Sequence, residues 1–196
     1  MQIRPATFDD LETVERLRLQ TFSVTDTSTL RRVPEAVQLD VRLKMWRLTE
    51  HVLKGLLVAW EGEQFVGTIA VGTGETTLRF AWPQLTVLRS LGVVPMMRYL
   101  AVWAMTHYEP AAEEAYLYGV VVDPAYRRRG AAADLTIAAE DLARRWGKRL
   151  ALGFIHHSNT PSLHLIQKLG YHAVEPQRTL VIQRLRNKGG LLDHGF

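Results

Sequence analysis

Hydrophobic and polar positions along the first third of the chain predict two helices between short strands. The predicted elements are a strand at 2–6, a helix at 9–22 with Asp9 as N-cap, a polar loop at 23–34 and a helix at 34–53. Apolar residues recur every three or four positions in both helices, as expected when one face of a helix is buried. In the first helix this predicted buried face comprises Leu11, Val14 and positions 17–19.

The middle of the chain predicts a β-hairpin followed by a less regular helical insertion. The hairpin spans residues 56–71, with β-rich flanks around a polar turn at 61–64. The insertion covers residues 76–114 and is punctuated by Gly92 and Pro95. An apolar stripe at helical spacing within it consists of Met96, Tyr99, Leu100 and Trp103. Such a stripe is typical of a core or of a subunit interface, as in a homodimer, and the wall of a substrate pocket is the alternative.

Residues 115–185 alternate strands and helices more regularly. The predicted elements are strands at 115–122, 150–155, 171–176 and 179–185, and helices at 131–147 and 159–170, the second with Thr160 as N-cap. This alternation is typical of a mixed α/β sheet covered by helices. We therefore expect a single domain over residues 1–187, followed by a flexible tail at 188–196.

Composition narrows the classes of protein to which the chain can belong. It has 196 residues, 47% of them hydrophobic, which is enough for one domain with a full core. The absence of cysteine excludes disulfides and thiolate metal sites and is compatible with a cytoplasmic location. No apolar stretch predicts a signal sequence or a membrane anchor. We expect a cytoplasmic protein with no membrane partner and no metal.

The stretch VVVDPAYRRRGAAADL at 120–135 places three arginines between a valine strand and a helix of small residues. A helix that follows a strand and a loop begins with unpaired backbone N–H groups, which attract phosphate. Small residues let a diphosphate approach these groups closely, and the arginines add charge-assisted hydrogen bonds. The residues of this predicted site are Arg127, Arg128, Arg129, Gly130, Ala131, Ala132 and Ala133.

A nucleic-acid backbone is the competing partner for these arginines. Arginines near aromatic residues, as in YRRRG and LARRWGKR, can bind nucleic acid, but such binding needs a contiguous basic face. The net charge of +4 is a mild excess that suits one phosphorylated ligand and falls short of a dedicated nucleic-acid binder. We therefore expect no nucleic-acid partner and keep a nucleic-acid-binding module as the distant alternative.

Four segments, in order, resemble the GNAT superfamily of acyl-CoA-dependent N-acetyltransferases. They are IRPATFDDLETV at 3–14, VAWEGEQFVGTIAV at 58–71, GVVVDPAYRRRGAAADL at 119–135 and SNTPSLHLIQKLGY at 158–171. The third segment is similar to the family signature (Q/R)-x-x-G-x-(G/A), with Arg127, Gly130 and Ala132 on its fixed positions. The resemblance is weakest over residues 76–114, where the family itself varies.

The resemblance implies a splayed sheet whose central gap admits acetyl-CoA as co-substrate. It implies transfer of the acetyl group to a primary amine of a small molecule or a peptide. It also implies that the backbone of Val120, Val121 and Val122 binds the pantetheine and that Asn159 contacts the CoA arm. For Asn159, capping of the following helix is the alternative.

The chain departs from the family pattern at two positions that often carry catalytic residues. Ile166 stands where many members have a tyrosine, and Phe154 stands where one branch has a glutamate. Tyr118 on the central strand and His157 after the next strand are the remaining candidates for proton transfer. For these two residues, a packed aromatic ring and a solvent-exposed imidazole are the alternatives. An acyl-CoA sensor without catalytic activity is therefore the second hypothesis.

Overall fold

The computed structural model describes residues 1–22, 30, 33–76, 82–106, 108–155, 159–175 and 180–184. Its strands are β1 (Gln2–Pro5), β2 (Leu56–Glu61), β3 (Gln64–Gly72), β4 (Glu114–Val122), β5 (Leu150–Phe154), β6 (His172–Glu175) and β7 (Leu180–Arg184). Its α-helices are α1 (Leu11–Phe22), α2 (Glu35–Leu48), α3 (Glu50–Leu53), α4 (Trp82–Leu88), α5 (Val93–Thr106), α6 (Ala131–Arg145) and α7 (Thr160–Lys168). Across these described ranges, no helix is both long and apolar enough to span a membrane.

The strands form one mixed sheet in the order β1-β2-β3-β4-β5-β7-β6. Every neighbouring pair is antiparallel except β4 and β5, which are parallel. The β4–β5 pairing runs only from Glu114 opposite Leu150 to Tyr116 opposite Leu152. Because β4 continues to Val122 without a β5 partner in the described chain, the sheet splays open at its centre, as predicted.

Helices cover both faces of this sheet. On one face, α6 buries Leu135, Ala139 and Leu142 in a core cluster shared with β3 and β4. On the other face, α1 places Leu11 and Val14 in a cluster with β2. A third cluster joins α2 to α4 and α5, so the helical insertion belongs in part to the core.

The first predicted helix begins earlier than its sequence indicated. A 3₁₀ turn at Phe8–Asp10 precedes α1, and its N-cap is Thr7 rather than Asp9. The carboxylate of Asp10 accepts hydrogen bonds from the Thr7 N–H (2.7 Å) and hydroxyl (2.9 Å) and pairs with Arg4 at 2.7 Å. Burial alone would raise the pKa of Asp10, but these donors outweigh it and hold the pKa below its usual value. The predicted N-cap, Asp9, is therefore wrong by two residues.

Two further helix boundaries differ from prediction because a side chain bonds to the backbone. The helix predicted at 34–53 is interrupted at Thr49, whose hydroxyl donates to the Met45 carbonyl at 2.8 Å. The N-cap of α7 is Asn159, not Thr160, since the Asn159 Oδ1 accepts the Ser162 N–H at 3.3 Å. The predicted tail at 188–196 and most of the loop at 23–34 lie outside the described residues.

Candidate active site

The central strand β4 contains a bulge close to the point where β5 leaves it. Its pairing with β3 shifts register between Thr68 and Ala70, which leaves one extra β4 residue beside Gly119. Gly119 has a φ of +64°, a left-handed conformation that glycine adopts without strain. Past the bulge, Val121 and Val122 are buried, whereas Val120 is 40% exposed. The bulge thus turns a short piece of strand backbone toward the open gap.

The loop between β4 and α6 forms a concave array of backbone N–H groups. Arg128 has a φ of +64° and Gly130 a φ of +90°, with one residue of ordinary φ between them. Such an alternation directs successive N–H groups to one side and makes an anion-binding nest. The first helical hydrogen bond of α6 runs from the Asp134 N–H to the Gly130 carbonyl at 3.1 Å. The N–H groups of the three alanines at 131–133 therefore precede the helical ladder.

The three predicted arginines stand in this loop, and each is exposed. The Arg127 Nε donates to the Val122 carbonyl at 3.0 Å, which ties the loop to the end of β4. The Arg129 guanidinium lies 5.4 Å from the centre of the Tyr126 ring. The structure thus places positive charge and open N–H groups of residues 127–133 next to the end of the central strand.

A cluster of aromatic rings lies where β4 and β5 separate. Tyr116 and Tyr118 project from the same face of β4 and stack at 5.3 Å between ring centres. Phe154 of β5 meets Tyr116 edge-on at 5.8 Å. Burial raises the pKa of Tyr118, and burial raises that of Tyr116 to about 12. Both hydroxyls therefore stay protonated at neutral pH.

A cavity of about 340 Å³ lies on the α1–α2 side of β4. Its aromatic lining comprises Trp46, Tyr99, Trp103, Tyr108, Tyr116 and Tyr118. Its charged lining comprises Glu15, Arg18 and Arg42. The remaining wall is largely aliphatic and comes from Leu30, Thr49, α2, α3, α4 and the short 3₁₀ helix Arg89–Leu91 that follows α4. Tyr99 and Trp103 of the apolar stripe thus contribute to the wall of the cavity. A pocket wall is the alternative interpretation of that stripe in the sequence analysis.

The charged residues of this cavity form one buried network around Glu15. One Glu15 oxygen accepts from Arg18 Nη1 at 3.0 Å and from the Trp46 indole at 2.9 Å. The other accepts from Arg42 Nη1 at 3.1 Å. Burial alone would raise the pKa of Glu15, but the two guanidinium groups and the indole N–H hold it below its usual value. Two cations therefore share one ionised carboxylate.

Comparison with known proteins identifies the family. A model described as the acetyltransferase (GNAT) family matches residues 14–171. This chain belongs to that family. The match covers strands β2 to β5 and the loop with the arginines, so the predicted family is confirmed, and the sheet order agrees with the predicted fold.

Solved structures of GNAT proteins share this fold at low sequence identity. One acetyltransferase is 18% identical with a TM-score of 0.70, covering 95% of this chain and 100% of that chain. An N-acetyltransferase from Staphylococcus aureus Mu50 is 17% identical with a TM-score of 0.65, covering 93% and 98%. The yncA protein of Salmonella typhimurium, solved with its cofactor acetyl-CoA, is 18% identical with a TM-score of 0.61, covering 96% of each chain. No curated protein matches this chain.

The two positions at which this GNAT chain departs from the family pattern pack against other side chains. Ile166 is buried in the core cluster that includes α6. Phe154 belongs to the aromatic cluster, where it also meets Tyr108 edge-on at 5.7 Å. Tyr171 is buried, and its hydroxyl donates to Glu140 at 3.0 Å, so it serves packing. His157 lies outside the described residues, which leaves Tyr118 as the predicted proton-transfer candidate that the structure places.

Sequence reasoning missed the charged network of this GNAT chain. The segment at 17–19 was assigned to the buried face of α1 as if it were apolar, although its central residue is Arg18. The available signal was Glu15 and Arg18 at a three-residue spacing beside the buried Val14. Charges within an apolar stripe are rarely buried unless they are paired, so they mark either an ion pair or a site. Their partner Arg42 comes from α2 and is invisible to local patterns.

Proposed function

We propose that this protein is an N-acetyltransferase that moves the acetyl group of acetyl-CoA to a primary amine by direct attack of the amine. The residues at 120–122 and 127–133, here called the donor surface, lie on one side of the β4 bulge, and the aromatic cavity lies on the other. This arrangement is the observation that supports the proposal. The nest at Arg128 and Gly130 lies at one end of the open strand, and the cavity reaches Tyr116 and Tyr118 on the same strand. Two substrates entering from opposite sides would come together beside Gly119.

The residues of the donor surface fit a diphosphate-bearing thioester. A Cβ built at Gly130 has no described atom within 4 Å, so the approach to the nest is open. The N–H groups of residues 131–133 and the guanidinium groups of Arg128 and Arg129 would hold the diphosphate. The side of β4 that has no β5 partner at Val120–Val122 in the described chain would take the pantetheine, as a strand edge takes a partner strand. The Asn159 side chain caps α7, so a contact to the CoA arm would need its amide N–H₂.

The chemistry requires a neutral amine. An alkylamine with a pKa of about 10.4 is neutral in only about one part in 2,500 at pH 7. Two arginines and one glutamate give the cavity a net positive charge, and its walls are apolar. A positive, poorly hydrated cavity disfavours the ammonium form and so favours the nucleophile.

Proton balance then assigns a role to Tyr118. The amine nitrogen attacks the thioester carbon, the C–N bond forms, the C–S bond breaks, and one proton must pass from nitrogen to sulfur. A protonated tyrosine hydroxyl can donate its proton to the departing thiolate and then take up the proton that the amine nitrogen loses. Tyr118 lies beside the bulge, and its raised pKa keeps it protonated. The bulge N–H groups would stabilise the oxyanion formed between these steps.

The test combines binding with turnover. Purified protein is titrated with acetyl-CoA by calorimetry and then incubated with a panel of primary amines, and free thiol and acetylated product are measured. Saturable binding with equimolar CoA and acetylated amine supports the proposal. Binding without product from any amine favours the sensor, in line with Ile166 and Phe154, and no binding at all overturns both hypotheses.

The nucleic-acid alternative receives less support from the charged residues of α6. Arg144 pairs with Glu140 at 3.0 Å and with Asp141 at 2.5 Å, so its charge is neutralised locally. The loop arginines would then form a small patch rather than a long basic face. A titration with duplex DNA across salt concentration checks this, because several phosphate contacts produce a steep loss of affinity.

A further inference from the structure

The buried side chain of Arg18 has N–H donors without hydrogen-bond partners, and burying such donors destabilises a fold. Arg18 is 8% exposed, and its Nη1 donates to Glu15 at 3.0 Å. Its Nε and Nη2 are buried and have no hydrogen-bond partner among the described residues. A buried donor without a partner destabilises a fold by about 1–3 kcal/mol, and more when it is charged. Such donors point to a ligand that completes them.

The two free donors lie on the same edge of the guanidinium. Nε and Nη2 present parallel N–H groups, which is the geometry that binds both oxygens of one carboxylate. A Cβ built at Gly119 would lie 3.2 Å from Nη2, 3.7 Å from Cζ and 3.9 Å from Nε, so the guanidinium lies against the β4 bulge with Nη2 nearest to it. Arg18 also lines the cavity, so a carboxylate bound in the cavity beside Gly119 would lie next to this guanidinium.

Charge points to the same ligand. Glu15 is shared between Arg18 and Arg42, so one of the two guanidinium charges has no buried counterion within the described network. The Arg42 Nε also lacks a hydrogen-bond partner there. One carboxylate would neutralise this excess, and burying paired charges is far less unfavourable than burying an unpaired one.

The position of this edge limits how far the carboxylate can be from the reacting amine. If acyl transfer takes place at the bulge, as in the proposed function, the amine nitrogen must also lie beside Gly119. In an α-amino acid only one carbon separates the amino nitrogen from the carboxylate, so both groups fit at that place. The rest of the molecule would extend between the aromatic residues Trp46, Tyr99 and Trp103. A volume of about 340 Å³ is at the small end of ligand sites and suits one amino acid better than a peptide.

We propose that the acceptor is an α-amino acid with an apolar or aromatic side chain, whose carboxylate is bound by the Nε–Nη2 edge of Arg18. This inference rests on the proposed function and deepens it, because it names the substrate class. Peptide N-termini and simple alkylamines lack a carboxylate next to the amine. They should therefore be poor acceptors.

The first experiment uses the wild-type protein and matched substrates. L-Phenylalanine, L-phenylalaninamide and phenethylamine share the ring and the amine but differ in the carboxylate. With saturating acetyl-CoA, kcat/KM is measured for each and expressed per neutral amine. We expect L-phenylalanine to exceed both analogues by about 10- to 100-fold, the range for charge-assisted hydrogen bonds to a carboxylate. Equal values for the three substrates would overturn the inference.

The second experiment asks whether Arg18 causes this preference. Arg18→Lys keeps the charge but loses the paired edge, and Arg18→Met loses both. The matched control is Arg16→Lys on the same helix, because Arg16 is 53% exposed and pairs only with Glu12 at 2.7 Å among the contacts of the described chain. We expect the Arg18 variants to raise KM for L-phenylalanine and to bring the acid-to-amide ratio close to one. The control should keep the wild-type ratio.

The outcomes separate the inference from the function on which it rests. Loss of kcat by the same factor for the acid and for phenethylamine would mean that Arg18 acts on the transition state, which overturns the inference and leaves the function intact. If phenethylamine is acetylated at the same rate as L-phenylalanine, the inference is likewise overturned and the proposed function is left intact. Tight acetyl-CoA binding without any product would overturn the proposed function, and the inference with it. If Arg18→Met fails to fold, the wild-type substrate comparison and the Arg18→Lys variant still test the inference.

Discussion

The proposed donor surface and the cavity around Glu15, the proposed acceptor site, differ in how they are built. The donor surface consists of backbone: a nest at Arg128 and Gly130, three alanines at a helix start, and an unpaired strand edge. Its charged side chains are exposed. The acceptor cavity consists of side chains, with an ionised Glu15 buried between two arginines and surrounded by aromatic rings.

This difference determines how far a substitution in each region should affect the stability of the fold. Exposed charges on a backbone frame contribute little to stability and are screened by salt. Buried charges are coupled to each other and to the fold, so removing one leaves the others without compensation. The next five predictions use this contrast, and they run from the largest expected effect to the smallest.

Glu15→Leu should damage the fold most. The buried Arg18 and the partly exposed Arg42 lose their shared carboxylate, which we expect to lower the free energy of unfolding by about 3–5 kcal/mol, as for other broken buried ion pairs. Denaturant titration measures this. The control is Glu12→Leu on the same helix, whose carboxylate is 58% exposed and should change stability by only about 0.5 kcal/mol. Equal effects of the two substitutions would contradict the contrast.

The same network predicts an acid dependence. Because Glu15 has a lower pKa in the folded state than its ordinary value of 4.5, the unfolded chain takes up the proton first as the pH falls. The stabilisation is present above that value and is lost as the pH falls through the lower pKa of the folded state. Glu15→Gln should therefore show a shallower decline of stability below pH 4.5 than the wild type.

Tyr118→Phe should lower kcat by about 100-fold, the smaller end of the range for proton transfer, and leave acetyl-CoA affinity unchanged. The substitution removes one hydroxyl from the cavity while keeping the stacked ring. Its control is Tyr171→Phe, which removes a buried hydroxyl that donates to Glu140 and should lower stability by about 1 kcal/mol without changing kcat. Full activity of Tyr118→Phe would exclude this hydroxyl as the donor.

Gly130→Asp should weaken acetyl-CoA binding by about tenfold or more, because a carboxylate at the nest repels the diphosphate. Gly147→Asp is a close control, since Gly147 ends the same helix with a φ of +72° and no described atom lies within 4 Å of its Cβ position. Aspartate is among the residues that tolerate this backbone conformation, so both variants should fold. If calorimetry finds equal acetyl-CoA affinities for the two variants, the nest does not bind the diphosphate.

Arg128→Ala should have the smallest effect. The side chain is exposed, so we expect stability to change by at most about 0.5 kcal/mol. Affinity for acetyl-CoA should fall about threefold at low salt, and this difference should shrink as ionic strength rises. A loss that is insensitive to salt would mean that Arg128 acts through the backbone conformation of the loop.

The donor half was predictable from the sequence because its determinants are local. A valine strand, a short loop, small residues at 130–133 and a helix follow one another within sixteen residues, and each element has a pattern that single-sequence reasoning detects. The splayed sheet followed from the family resemblance. The errors at Thr7, Thr49 and Asn159 all concern side chains that bond to nearby backbone, which propensity does not resolve.

The acceptor half was not predictable because its determinants are distant. Glu15 and Arg42 are separated by 27 positions and meet only when α1 packs on α2. The Arg18 guanidinium lies against Gly119, a residue about a hundred positions later in the chain. Periodicity predicts correctly that residues 17–19 are buried. It does not show whether a buried position serves packing, as a leucine does, or carries a charge that needs a partner, as Arg18 does.

The short β4–β5 pairing has a consequence for the folded protein as a whole. Three opposed residue pairs join the half of the sheet that carries β1–β4 to the half that carries β5, β7 and β6. A cofactor lying in the opening would bond to both halves and act as an eighth strand between them. Loading with acetyl-CoA should then raise the melting temperature with ligand concentration and slow amide exchange on both sides of that seam.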